Sequence, residues 1–192
     1  MGSSYQTVLA TGDLADVRTA VAESGQDAVV IPVGDRRWAV VPAQDDGYAE
    51  TEDLAELLSR PEGSVAASFD VFDSDYIVAK LFRGGRGYHD YLSDQAYVIE
   101  LWDEDDNEIL LDPLGRPYPP NATPPTGAYG ADPAAFAPLG IAPIDETALS
   151  AALRGPVHMA EKQHHAILHA LNLDPRPLQM SYKRAVTSGL GV

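Results

Sequence analysis

The chain of 192 residues contains no cysteine, few basic residues and no long hydrophobic run. The lack of cysteine excludes disulfide bonds, thiolate zinc sites and a cysteine nucleophile. No segment approaches the roughly 20 apolar residues of a membrane-spanning helix. Residues 1–6 also lack the basic start of a secretion signal. We therefore expect a cytoplasmic protein without a membrane partner, and a hydrophobic fraction of 45% favours a folded domain.

Basic residues are outnumbered by acidic ones, 13 against 29, which gives a formal net charge of −16. Binding to nucleic acid depends on lysine and arginine, which displace the counterions of the phosphates. The composition therefore argues against a nucleic-acid partner. A basic protein would be attracted by the same charge, although acidity also serves solubility alone.

The order of the predicted elements is β-α-β-β-α-β-β-β. It predicts an α+β fold in which two helices lie on one face of a mainly antiparallel sheet. The first six elements match the ferredoxin-like order. Pro32 indicates that the second strand lies at an edge of the sheet or ends early. The pattern gives strands at 5–10, 27–33, 37–41 and 97–102, helices at 13–23 and from Thr51 to before Pro61, and a hairpin at 68–82.

The hairpin at 68–82 has alternating apolar side chains around an acidic turn. If Asp73 and Ser74 form a two-residue turn, Phe69 lies opposite Val78. The same register pairs Val71 with Tyr76 and Val65 with Phe82, all on one face. We expect Asp70 to point away from this apolar face.

The composition changes at Pro113, because nine of the 15 prolines lie between Pro113 and Pro143. We divide the chain into a sheet core at 5–112, a Pro-rich strap at 113–143 and a C-terminal helical segment at 144–192. The periodicity predicts helices at 145–153 and 157–171 in the last segment. We expect this segment to pack on the core, so that the whole chain forms one domain.

Four of the five histidines lie in the last predicted helix. His158, Glu161, His165 and His169 share one face of that helix. Two histidines four residues apart can bind one divalent metal, with Glu161 as a third ligand. The alternative is a solvated polar face. The chain lacks the H-E-x-x-H and G-x-S-x-G patterns that would supply a complete catalytic set.

The acidic segment from Asp103 to Glu108 imitates the start of a calcium loop. Glu108 occupies the position of the required glycine, and Leu114 occupies the position of the final glutamate, so we interpret the segment as a hairpin tip. Aromatic residues follow the tip along the chain. The candidate partner-binding residues are Asp103, Asp105, Asp106, Tyr118 and Tyr129.

Several short motifs resemble a group of uncharacterised bacterial proteins. They are Val71–Asp75, Leu81–Gly85 with Tyr88 and Tyr91, the helix at 161–171, Leu173–Pro175, and Ser181 with Tyr182. The resemblance implies a common fold and no particular activity.

These features favour a non-catalytic protein that acts through protein–protein contact, such as an immunity-like accessory factor with a basic partner. The acidic tip and the Pro-rich strap would form its binding surface. The alternative is a metal-assisted hydrolase that uses Glu161, His165 and His169. Apart from that metal, we expect no cofactor.

Overall fold

The computed structural model describes residues 2–45, 47–102, 106–119, 122–155 and 159–192. Its centre is a six-stranded antiparallel sheet with the strand order β2-β3-β1-β4-β5-β6. The strands are β1 (Tyr5–Thr11), β2 (Ala28–Gly34), β3 (Arg37–Pro42), β4 (Val65–Phe72), β5 (Tyr76–Arg83) and β6 (Arg86–Leu92). The helices are α1 (Leu14–Ser24), α2 (Thr51–Leu58), α3 (Pro133–Phe136), α4 (Glu146–Arg154), α5 (Ala160–Ala170) and α6 (Tyr182–Ser188). The predicted α+β class is confirmed.

The position of β3 between β1 and β2 confirms the ferredoxin-like order. Both β1 and β2 run antiparallel to β3, so they are parallel to each other and α1 connects them. This is the split β-α-β arrangement. Strand β4 then pairs with the other edge of β1. Strand β2 lies at the edge of the sheet, which is one of the two outcomes that Pro32 predicts.

Helices cover both faces of the sheet, and each face carries its own apolar core. The α1 and α2 side packs Val17 and Leu54 against Val8 of β1. On the other side, α4 and α5 contribute residues such as Leu149 and Ile167. All seven residues of β1 are buried. The predicted pair of helices therefore covers one face, and the C-terminal helices cover the second.

The register predicted for the β4–β5 hairpin is wrong by one residue. The turn contains Asp73, Ser74 and Asp75, so Phe69 lies opposite Ala79 and Asp70 lies opposite Val78. The extra turn residue follows from long-range contacts. The N–H of Ser74 donates to the carbonyl oxygen of Ser3 at 2.9 Å, and the Ser74 carbonyl oxygen accepts from the N–H of Ala160 at 2.8 Å.

Residues 86–92, to which the sequence pattern assigned no strand, form the edge strand β6. The predicted strand at 97–102 is present as β7 (Ile99–Trp102), but it pairs with β8 (Glu108–Leu111) in a separate two-stranded sheet. No helix within the described residues is long and apolar enough to span a membrane.

The second half of the Pro-rich segment belongs to the core and is not an open strap. The backbone groups of Tyr129 and Leu92 bond each other at 2.8 and 3.1 Å, which attaches the segment to β6. Phe136 and Leu139 are completely buried. Gly130 allows this attachment, because a Cβ there would lie 1.9 Å from the carbonyl oxygen of Asp90.

Replacement of Gly130 by alanine should therefore destabilise the protein more than replacement of Gly127. Both glycines have a positive φ, but nothing lies within 4 Å of a Cβ at Gly127. The shared conformational cost is about 1–2 kcal/mol, and the clash at Gly130 should add about 1–3 kcal/mol. Urea unfolding of Gly130→Ala and Gly127→Ala measures the difference. Equal losses would show that the segment does not press against β6.

Candidate functional site

The β7–β8 hairpin lies outside both cores and exposes large apolar side chains. In β7, Ile99 is 41% exposed, Leu101 is 45% exposed and Trp102 is 62% exposed. The strands pair Ile99 with Leu111 and Leu101 with Ile109. A two-stranded sheet of this length gains little stability in water by itself.

The two faces of the hairpin differ in chemistry because side chains alternate along each strand. One face carries only apolar side chains, those of Ile99, Leu101, Ile109 and Leu111. The other face carries Glu100 and Glu108 together with Trp102 and Leu110. Acidic groups therefore flank exposed apolar surface, which is a common composition of a partner-binding surface.

The two outer edges of the hairpin also differ. The edge of β8 is covered, because the N–H of Tyr118 donates to the carbonyl oxygen of Leu110 at 2.8 Å and that of Asp112 donates to Arg116 at 3.0 Å. Within the described part of the chain, no backbone group pairs with the outer edge of β7.

Asp112 anchors the base of the hairpin. Its carboxylate is 1% exposed and accepts hydrogen bonds from the N–H groups of Leu114 and Arg116. The Arg116 Nε donates to the same carboxylate at 2.6 Å, and its guanidinium lies 3.5 Å from the ring centre of Tyr129. Since Tyr129 is bonded to β6, this chain of contacts connects the hairpin to the main sheet.

The predicted partner-binding residues fall into two places. Asp106 is exposed at the tip and, with Glu108 and Tyr118, lines a groove of about 630 Å³ beside β8. Tyr129 instead lines a second groove of about 400 Å³ at the edge of β6. Asp103 and Asp105 lie outside the described residues. The structure thus brings Asp106 and Tyr118 together and places Tyr129 elsewhere.

The proposed metal ligands are engaged in separate contacts. One carboxylate oxygen of Glu161 accepts a hydrogen bond from the Ser74 hydroxyl at 3.1 Å. The Nδ1 of His165 lies 3.3 Å from Oε1 of Gln179, and His169 is exposed. Among the described residues, no three acidic or histidine side chains form a group that could hold a metal ion. His158 lies outside these residues, and metal binding stays a prediction.

His164, a neighbour of His165 in α5, is completely buried. Its Nδ1 lies 3.0 Å from the Tyr5 hydroxyl, and its ring packs 4.5 Å from that of Phe69. Burial, followed by the proximity of His165, lowers the pKa of His164 to about 3. The side chain is therefore neutral at physiological pH and has a structural role.

Asp70 is a buried carboxyl group whose burial the sequence did not reveal. It is 8% exposed, lies opposite Gln6 on β1, and accepts a hydrogen bond from the Thr51 hydroxyl at 3.1 Å. Burial raises the pKa of Asp70 to about 6, against the opposing effects of Thr51, Gln6 and Lys80. Strand alternation predicted its face, but nothing in the pattern indicated that helices and a loop would cover that face.

No protein-family model, curated protein or solved structure matches the chain significantly. The resemblance to uncharacterised bacterial proteins therefore stays a prediction.

Asp70→Asn should stabilise the protein at pH 7. The pKa of the Asp70 carboxyl is higher in the folded state than in the unfolded state, where it has its ordinary value of 3.8. Below about pH 4 the carboxyl is protonated in both states and does not change the free energy of unfolding. Between about pH 4 and pH 6 its ionisation increasingly destabilises the folded state. We expect the variant to gain about 1–3 kcal/mol at pH 7. The gain should shrink towards zero as the pH falls to 4.

Urea unfolding of wild type and variant across this range measures the effect, and comparison at each pH cancels the contribution of His164. Asp27→Asn, at an exposed carboxyl, is the control for the removal of one negative charge. A loss of stability in Asp70→Asn at pH 7 would show that the buried charge is favourably paired.

Proposed function

We propose that the chain is a binding protein that captures a basic partner protein through the β7–β8 hairpin. The observation that carries the proposal is the exposure of Ile99, Leu101 and Trp102 on a hairpin that joins neither core. Ile99 and Leu101 lie together on one face, and Trp102 lies on the other face beside Glu100 and Glu108. Exposed apolar surface next to polar groups is typical of interaction sites. Tryptophan in particular often supplies a large part of the binding energy.

The charge distribution supports a basic partner. Glu100 and Glu108 share a face with Trp102, Asp106 is exposed at the tip, and the whole chain carries a net charge of −16. Acidic groups around the contact would accelerate association with a basic protein and reject acidic ones. Because these groups are exposed, salt should weaken the attraction.

The substitution Leu101→Ser should weaken capture of the partner at least tenfold. The matched control is Leu190→Ser, because Leu190 is 49% exposed near the C-terminus and Leu101 is 45% exposed on the hairpin. Both variants remove one exposed leucine, so a general loss of surface hydrophobicity affects them equally. A buried interface anchor contributes about 2 kcal/mol or more.

The measurement is quantitative capture from a lysate of the native cell by immobilised wild type, Leu101→Ser and Leu190→Ser at 50 and 500 mM salt. Proteins retained by wild type and Leu190→Ser but lost from Leu101→Ser support the proposal, provided that they are basic and that salt weakens their retention. Equal capture by all three proteins would contradict it.

A further inference from the structure

The outer edge of β7 has the geometry of a strand-addition site, and this inference rests on the proposed function of the hairpin. We propose that the partner binds as a third β-strand on the edge of β7, through an extended segment in which basic and apolar side chains alternate. This binding mode uses backbone hydrogen bonds for attachment and alternate side chains for selection.

The register of the hairpin identifies the backbone groups that are available. Leu110 directs its carbonyl oxygen away from β7, towards the N–H of Tyr118. Leu110 and Glu100 are therefore a non-hydrogen-bonded pair of the antiparallel ladder. Trp102 and Glu108 form the next non-hydrogen-bonded pair. The N–H and C=O groups of Glu100 and Trp102 consequently point outward from the hairpin.

The two faces of the hairpin determine which side chains the added strand should carry. Apolar side chains of the incoming strand would lie beside Ile99 and Leu101 and extend the apolar face. Its alternate side chains would lie on the face that carries Glu100 and Glu108. Lysine or arginine at those positions forms opposite-charge cross-strand pairs, which stabilise a sheet, whereas acidic residues would repel.

A second copy of this chain fits the edge less well. Pairing of two β7 strands would bring the acidic faces of two hairpins together, and each chain carries a net charge of −16. Like charges across a ladder destabilise the pairing. A basic, extended segment avoids this repulsion.

The substitution Glu100→Pro directly tests the hydrogen bond between the backbone of β7 and the added strand. Proline removes the outward N–H of Glu100 but leaves the β7–β8 ladder intact, because that N–H takes no part in it. Glu100→Ala is the matched control, since it removes the same charge and keeps the N–H. The probe is an eight-residue peptide of alternating lysine and valine, and the measurement is its dissociation constant by fluorescence anisotropy at 50 mM salt.

We expect Glu100→Pro to bind the peptide at least tenfold more weakly than Glu100→Ala. A second arm leaves the protein unchanged: N-methylation of alternate peptide amides on the pairing edge should abolish binding by wild type, while methylation on the opposite edge should not. Equal affinity of the two protein variants, or of the two methylated peptides, would overturn strand addition. Sedimentation that shows self-association lost in Glu100→Pro, without peptide binding, would overturn the chosen occupant.

The outcome also separates this inference from the proposed function. If Leu101→Ser loses partner capture while Glu100→Pro keeps it, the hairpin surface stands and strand addition is wrong. If neither variant loses the partner, the proposed function itself fails.

Discussion

Burial of β1 on both faces is the constraint on which the rest of the structure depends. All seven residues of this strand are buried, and it lies between β3 and β4. Covering both faces requires α1 and α2 on one side and the C-terminal helices on the other. The same coverage encloses Asp70 and His164, which are 8% and 0% exposed.

The β7–β8 hairpin lies outside the two cores. Ile99, Leu101 and Trp102 remain exposed, and its two short strands need support from elsewhere. Asp112, Arg116 and Tyr129 supply that support at the base through a buried carboxylate and a stacked guanidinium. The base is thus fixed to the main sheet while β7 keeps one outer edge without a backbone partner in the described chain. A partner that adds a strand would complete the small sheet.

The sequence pattern predicted the strands and helices whose formation depends on residues that are close together in the chain. Alternation and turn residues predicted the first four strands, the order of the elements and the edge position of Pro32. The β4–β5 register was missed because the turn length depends on contacts of Ser74 with Ser3 and Ala160. Strand β6 was missed because its exposed, polar residues lack an apolar alternation. At the candidate site, the acidic tip was predicted, but the exposure of Ile99 and Leu101 depends on which surfaces the helices occupy.

Site-resolved hydrogen exchange on the amides of Glu100 and Trp102 tests the central claim most directly. In the protein alone these two amides should exchange at nearly the rate of an unstructured peptide, while those of the β1 core exchange slowly. With the lysine–valine peptide bound, both should become protected, and the β1 amides should change little. Protection of Glu100 and Trp102 in the protein alone, or no change on binding, would contradict the account.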